Sequence, residues 1–193
     1  MKNNLTEKDI ENLNKWAEKY DLEELKIKDK EKIFNLEELH ISNDNLTELP
    51  KEIGILTNLK SLIIRCNNLK ELPKEIFNLI NLEELYIRNN NLTELLKEIG
   101  ILTNLKILDI ECYNLKELPK EVFNLINLEK LRIISNNLEI SPDGIEKLIN
   151  LEKLDININI INENFNFKSL PIEEIGKLNN LKEFDISIRK WEK

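Results

Sequence analysis

Few residues of this 193-residue sequence could carry out covalent or acid–base chemistry. The single histidine is His40, and the two cysteines, Cys66 and Cys112, are 46 residues apart. His40 has no cysteine partner and no general-base context, and neither cysteine belongs to a Cys-x-x-Cys pair that could hold zinc. No phosphate-binding glycine loop occurs. We therefore expect neither an enzyme nor a cofactor, and we expect His40 to be an exposed contact residue.

The charge of the chain narrows the classes of partner. Acidic residues outnumber basic ones and the formal net charge is −8. Direct nucleic-acid binding is not expected, because neutralising phosphates needs clustered excess lysine and arginine. The sequence has no apolar run of signal-peptide or membrane-spanning length. Together with only two cysteines, this predicts a cytoplasmic protein that does not contact a membrane.

A repeat determines which elements position these side chains. The string Leu-x-x-Leu-x-Ile recurs every 23 residues, starting at Leu36, Leu59, Leu82, Leu105, Leu128 and Leu151. Weaker copies begin at Leu22 and Leu181. Counting the first leucine as position 1, the apolar residues at positions 4 and 6 alternate with outward residues at 3, 5 and 7, which predicts a short strand. The apolar residues at 11, 14, 18 and 21 can be buried only if neighbouring copies stack.

Three further positions of the repeat carry predictions. Asparagine at position 9 is expected to satisfy backbone groups of the turn after the strand. These residues are Asn67, Asn90, Asn136 and Asn159, with Asp44 and Tyr113 as exceptions. Proline at position 15 is expected to be the first residue of a short helical turn. These residues are Pro50, Pro73, Pro119, Pro142 and Pro171. The two cysteines both occupy position 8, two copies and roughly 10 Å apart, so they are predicted to be free thiols.

These residues resemble the leucine-rich repeat family, in its 23-residue bacterial-type class with the pattern LxxLxLxxNxLxxLPxxIGxL. The resemblance covers residues 22–193, in about eight repeats of which the first and last are degenerate. It implies an α/β repeat solenoid, a curved arc with a parallel β-sheet on the concave face and short helical or irregular segments on the convex face.

The ends of the array depart from the repeat. Residues 1–21 carry Ile10, Leu13 and Trp16 at helical spacing and are predicted to form an N-terminal helical cap, with a membrane- or partner-binding helix as the alternative. An insertion of seven residues lies near 160–167. The last strand is expected to leave an edge that could pair with another chain. We expect a monomer, with end-to-end dimerisation as the alternative.

The chain also contains two near-copies of a 46-residue unit, 36–81 and 82–127, which differ at nine positions. Five of the nine lie at positions 3, 5 and 7, on the predicted concave face. Neutral drift of exposed residues would give the same pattern, but we favour a selected binding surface, because its aromatic, arginine and aliphatic residues are typical of protein interfaces. The predicted partner-binding residues are Ile63, Arg65, Tyr86, Arg88, Ile107, Asp109, Glu111, Arg132 and Ile134.

The sequence and the resemblance favour a non-enzymatic module that binds a protein partner through its concave face and inhibits it by occlusion. The family includes ribonuclease inhibitors, which block a basic enzyme. The most specific hypothesis is therefore that the protein inhibits a nucleic-acid-handling enzyme, such as a host or phage-defence (CRISPR-type) nuclease. A scaffold that oligomerises and a bacterial effector-type leucine-rich repeat protein are the alternatives.

Overall fold

A computed structural model describes residues 6–26, 29–136, 138–140, 143–160 and 172–190 of the chain. Pro142 and Pro171 lie outside these residues. The insertion predicted near 160–167 is described only at Ile160.

The strands of the described residues follow the repeat. They are β1 (Glu38–Ser42), β2 (Ser61–Arg65), β3 (Glu84–Asn89), β4 (Ile107–Cys112), β5 (Glu117–Leu118), β6 (Lys130–Asn136), β7 (Glu139–Ile140), β8 (Lys153–Ile160) and β9 (Glu183–Lys190). Within the described ranges, seven of them form one parallel sheet in the order β1-β2-β3-β4-β6-β8-β9, and β5 pairs with β7 separately. The predicted parallel sheet is confirmed.

Short helices connect the strands on the opposite, convex side. The α-helices are α1 (Glu7–Lys19), α2 (Lys30–Phe34) and α3 (Ile172–Ile175). The 3-10 helices are η1 (Glu23–Leu25), η2 (Lys51–Ile55), η3 (Lys74–Asn78), η4 (Lys97–Ile101), η5 (Lys120–Asn124) and η6 (Ile145–Lys147). Pro50, Pro73 and Pro119 are the N-cap residues of η2, η3 and η5, with ψ between 135° and 145°. The prediction that these prolines are the first helical residue is wrong by one position, because their backbone is extended.

The core is a stack of aliphatic side chains that neighbouring repeats bury for each other. The leucines at position 4 are directly in register between adjacent strands, as in the pairs Leu39–Leu62 and Leu62–Leu85. Each is at most 2% exposed from Leu39 to Leu154. A single repeat could not cover these residues, so the structure has the nearest-neighbour packing of a solenoid.

The first degenerate copy does not form a strand in the described residues. After Leu22 the chain forms η1, and Lys26 pairs with Asp21 and Glu23 at the surface. Asp21 lies in the left-handed region, with φ 56°. The sheet therefore starts at β1. The side of the array that precedes β1 is packed against α1, whose Ile10, Leu13 and Ala17 are buried.

In three copies a polar side chain at position 8, and not the asparagine predicted at position 9, bonds the backbone of the turn: Asn43, Asn89 and Ser135. At position 9 it is Asp44, an exception to the asparagine pattern, that accepts from a backbone N–H, that of Asn67.

Asn89, at position 8, is 1% exposed. Its Nδ2 donates to the carbonyl of Cys66, and its Oδ1 accepts from the N–H groups of Asn91 at 2.6 Å and Leu92 at 2.5 Å. The inward–outward alternation of the strand continues one step further than the pattern suggested, which turns position 8 inward and leaves Asn90 exposed.

Six asparagines, each the residue just before a repeat, form a ladder of hydrogen bonds that the sequence reasoning missed. We call them the asparagine ladder. In each case Nδ2 donates to a backbone carbonyl of the preceding repeat, at 2.7–2.9 Å. The residues are Asn58, Asn81, Asn104, Asn127, Asn150 and Asn180. The signal was visible as an asparagine preceding each Leu-x-x-Leu string. Its regular spacing ties the backbones of successive repeats together on one flank.

Within each 46-residue unit, the two repeats make close contacts with each other. A Cβ atom added at Gly54 would lie 2.3 Å from the carbonyl oxygen of Glu75, and one at Gly100 would lie 2.7 Å from that of Glu121. Glycine therefore lets η2 approach η3 closely and lets η4 approach η5. On the opposite flank, Nζ of Lys60 pairs with Glu37 at 2.9 Å in the first unit. The equivalent pair in the second unit joins Lys106 and Glu83 at 2.7 Å.

Candidate functional site

The concave face of the sheet brings together all nine of the predicted contact residues. Strand register places the position-5 residues in one continuous row from β1 to β9. This row is His40, Ile63, Tyr86, Asp109, Arg132, Asp155 and Asp185. The position-7 row beside it is Ser42, Arg65, Arg88, Glu111, Ile134, Asn157 and Ser187. Ile107 belongs to the position-3 row, between Glu84 and Lys130.

An ion network occupies the centre of this face. Nη1 of Arg132 lies 2.9 Å from Asp109 and 3.9 Å from Glu111, and its Nε lies 3.3 Å from Asp155. Partial burial works to lower the pKa of Arg132, but the hydrogen bond to Asp109 and the charges of the three carboxylates outweigh it and raise that pKa. One cation thus contacts three acidic side chains, and their charge is partly balanced inside the protein.

Glu111 connects this network to its neighbours. It accepts a hydrogen bond from the Tyr113 hydroxyl at 2.8 Å and lies 3.4 Å from Nη2 of Arg88. The hydrogen bond to Glu111, followed by burial, raises the pKa of Tyr113. Tyr113 replaces an asparagine at position 9. In this copy the exception to the repeat therefore supports a carboxylate of the concave face.

The part of the face on β2 and β3 is more open. We call Ile63, Arg65, Tyr86 and Arg88 the β2–β3 patch. Among the residues described, Arg65 forms no ion pair, and the Arg88 side chain is 59% exposed although it approaches Glu111. Ile63 and Tyr86 are half-buried neighbours on adjacent strands. Burial, followed by the charge of Glu84, raises the pKa of the Tyr86 hydroxyl. The patch combines apolar surface with two cations.

The residues that could react or bind metal do not form a site in the described ranges. Cys66 and Cys112 are buried free thiols, as predicted. Burial raises the pKa of both, that of Cys112 to about 12, which disfavours the reactive thiolate. The backbone N–H of His40 donates to Glu24 at 2.9 Å, and its side chain is exposed. No three His, Cys, Asp or Glu side chains of this part of the chain are grouped as metal ligands would be.

A polar groove of about 990 Å³ runs along the flank of the solenoid, beside the concave face. It is lined by the asparagine ladder and by lysines and glutamates at position 2, including the pairs Lys60–Glu37 and Lys106–Glu83. The sequence reasoning did not identify this groove. Its amide groups are already used for hydrogen bonds between repeats, so its arrangement serves the scaffold. Across the described residues, no helix is long and apolar enough to span a bilayer.

Comparison with family models identifies the same leucine-rich repeat. The family described as leucine-rich repeat region matches residues 82–193, and the leucine rich repeat family matches residues 57–99. No curated protein sequence matches the chain.

Three solved structures are similar in fold. Internalin C2 from Listeria monocytogenes is 19% identical with a TM-score of 0.51, over 84% of this chain and 66% of its own. The Arabidopsis receptor kinase HAESA, in complex with the peptide hormone IDA and the co-receptor SERK1, is 23% identical with a TM-score of 0.60, over 82% of this chain and 27% of its own.

The third structure is the LRR ectodomain of the receptor kinase GASSHO1/SCHENGEN3 from Arabidopsis thaliana, in complex with CASPARIAN STRIP INTEGRITY FACTOR 2. It is 24% identical with a TM-score of 0.56, over 74% of this chain and 17% of its own. The chain spans less than two thirds of each of these proteins. At these identities the likeness shows a shared repeat fold.

Proposed function

Because the chain belongs to the leucine-rich repeat family, we propose that it is a non-enzymatic module that binds a protein partner through the concave face of its sheet. The observation that carries the proposal is the divergence of this face within a nearly constant scaffold. Five of nine differences between residues 36–81 and 82–127 fall on it. Two structures of the same fold supply a precedent, since each is a complex with a peptide hormone or a protein factor.

The β2–β3 patch is the proposed centre of the contact. Asp109 and Glu111 are already paired with Arg132, whereas Arg65 is exposed and Arg88 only partly engaged. Arginine and tyrosine beside an aliphatic residue are the side chains that most often dominate binding energy at interfaces. A carboxylate of the partner would bind between the two guanidinium groups as a charge-assisted hydrogen bond. Ile107 and Ile134 extend the apolar surface on either side of the network.

Occlusion is the proposed mode of action. A face seven strands wide in the described residues can cover a partner's surface without changing a covalent bond. The finer hypothesis, an inhibitor of a nucleic-acid-handling enzyme, rests on the net charge of −8, which favours encounter with a basic partner. The β2–β3 patch itself is cationic, so on this hypothesis the acidic residues outside the patch guide encounter while the patch binds a local acidic group.

Affinity capture from the native cell with a patch variant tests the proposal. We expect the triple variant Arg65→Ala, Tyr86→Ala and Arg88→Ala to lose the captured protein, with affinity lower by at least about tenfold. The matched control is Lys74→Ala, Lys97→Ala and Lys120→Ala, which removes exposed charges from the convex helices η3, η4 and η5. Arg132→Ala is unsuitable, because it would leave Asp109 and Asp155 without their cation. Equal capture by the patch variant and the wild type would place the binding surface elsewhere.

The identity and activity of the captured protein test the finer hypothesis. If it is a basic nuclease, one equivalent of this chain should abolish cleavage, and raising the salt concentration should slow association. A captured enzyme that stays fully active in the complex would refute occlusion. An acidic partner would refute the nuclease hypothesis while leaving the contact surface in place.

A further inference from the structure

Strand β9 forms one boundary of the sheet. It pairs in parallel with β8, and within the described residues no strand lies on its other side. Phe184, at position 4, is 50% exposed, whereas the leucines at this position from Leu39 to Leu154 are at most 2% exposed. Ile186 and Ile188 are half-buried, although the matching Ile156 and Ile158 are buried. The edge thus exposes the apolar layer that forms the core in the other repeats.

The outer edge of β9 also presents backbone hydrogen-bonding groups. The N–H of Glu183 donates to the carbonyl of Glu152 at 3.0 Å, so Glu183 faces β8. Successive residues of a strand direct their N–H and C=O groups to opposite sides, so those of Phe184, Ile186 and Ile188 face outward. A strand edge of eight residues with no proline and no bulge is a template for pairing with another strand.

The sequence of β9 is complementary to itself in the antiparallel direction. With a two-fold axis at Ile186, Glu183 lies opposite Arg189 of a second copy, and the symmetry repeats this pair on the other side. Phe184 then lies opposite Ile188, and Ile186 opposite its own counterpart. The charged pairs fall on the concave face and the apolar pairs on the core face, which continues the arrangement of the sheet. Among described residues Arg189 forms no ion pair, so its charge is available for this contact. Glu183 already pairs with Lys153 of β8, and Arg189 of the second copy would be its second cation.

We propose that the outer edge of β9 binds β9 of a second copy of this chain, antiparallel and centred on Ile186, which joins the two sheets into one. Three hydrogen-bonded residue pairs form in this register, at Phe184–Ile188, Ile186–Ile186 and Ile188–Phe184. A register centred on Asp185 would set that carboxylate against its own counterpart. The other neighbouring antiparallel register with matching faces is centred on Ser187. It places Lys190 against Phe184 on the apolar face, and it is therefore disfavoured.

Charge-swap variants test the pairing. The wild type should show a monomer–dimer equilibrium by sedimentation, with the mass approaching twice 22.8 kDa as concentration rises. Arg189→Glu and Glu183→Arg each create two like-charge pairs and should raise the dissociation constant at least tenfold. Glu183→Arg also places an arginine beside Lys153 of its own protomer, so Arg189→Glu is the primary variant. An equimolar mixture of the two variants restores both opposite-charge pairs, so it should associate like the wild type. Circular dichroism of each variant verifies that it is folded.

A strictly monomeric wild type would overturn the proposal. A dimer that both single variants leave intact would overturn it equally, because the contact would then lie on another surface. A folded mixture that fails to associate would exclude the Glu183–Arg189 pairing.

Cysteine substitution tests the register independently of charge. Hydrogen-bonded antiparallel pairs have Cα atoms about 5.5 Å apart, within the range of a disulfide. Ile186→Cys should therefore form a disulfide-linked dimer under mild oxidation, and Ser187→Cys should not. The native Cys66 and Cys112 are buried and do not interfere. Efficient cross-linking of Ser187→Cys with none at Ile186→Cys would exclude the proposed register.

Discussion

Single polar side chains inside this solenoid hold the backbone of the neighbouring repeat. Asn89 binds three backbone groups from a position that is 1% exposed. At the same position in another copy, Oγ of Ser135 lies 2.6 Å from the carbonyl oxygen of Cys112 and 2.9 Å from that of Leu115. Position 8 thus bonds the backbone through different side chains and different groups, so the pattern of residue types alone did not identify it.

Replacing Asn89 should test this assignment. We expect Asn89→Ala to lower the free energy of unfolding by about 2–4 kcal/mol, because buried backbone donors and an acceptor lose their partner. The neighbouring Asn90→Ala removes an exposed side chain, and its effect should stay below about 0.5 kcal/mol. Urea denaturation measures both. A larger loss for Asn90→Ala would restore the position-9 assignment.

The rows of the concave face were predictable at the residue scale, whereas their internal pairing was not. Two-residue alternation and the 23-residue period place Asp109 and Arg132 side by side, as the structure has them. Which charges neutralise each other depends on side-chain length and direction across strands. Arg132 reaches three carboxylates on its own and adjacent rows, while Arg65 reaches none among described residues. Treating all nine residues as equivalent contacts therefore overstated the free charge of the face.

At the scale of elements, the convex helices approach most closely in pairs, η2 with η3 and η4 with η5. The glycines of η2 and η4 face the backbone of η3 and η5, while η3 and η5 carry the buried Phe77 and Phe123 at the corresponding position. Leucine periodicity predicted that helical turns would connect the strands. It did not predict their 3-10 form or the one-residue offset of the prolines, because these depend on how tightly each connection must close.

Adding one methyl group at the contact between η2 and η3 should lower the stability of the protein. We expect Gly54→Ala to lower the free energy of unfolding by about 1–3 kcal/mol, since its Cβ would overlap the carbonyl of Glu75. Gly176→Ala is the matched control, because the nearest atom to its Cβ would be at 3.4 Å, an ordinary contact. Chemical denaturation of the two variants checks the difference. Equal stabilities would mean that η2 and η3 can separate without cost.

For the whole molecule, each repeat is stabilised only by its neighbours. The helix α1 packs beside η1 and η2, where Leu13 is fully buried and Asn12 donates to Glu52 at 3.0 Å. Sequence periodicity was sufficient to predict this architecture, because stacking buries the repeated leucines that a single repeat would leave exposed. Whether distant repeats unfold together depends on the interface energies between them, which sequence patterns do not supply.

A cavity at α1 should reveal how far cooperativity extends. We expect Leu13→Ala to cost about 3 kcal/mol locally and to accelerate amide exchange in β1 and β2. Exchange in β6 and β8, several interfaces away, should remain near its wild-type rate. Hydrogen–deuterium exchange with mass spectrometry resolves these strands. Uniform acceleration along the chain would show that the array unfolds as one unit.

The two-repeat unit has a consequence for inheritance. Recombination between residues 36–81 and 82–127 adds or removes 46 residues and keeps every glycine-bearing turn next to the turn that it fits. An event of 23 residues would instead bring two turns of one kind together. It would also bring two lysines or two glutamates into the place of the pairs Lys60–Glu37 and Lys106–Glu83. Descendants of this gene should therefore change in length by pairs of repeats, and each such event would widen or narrow the concave face by two strands.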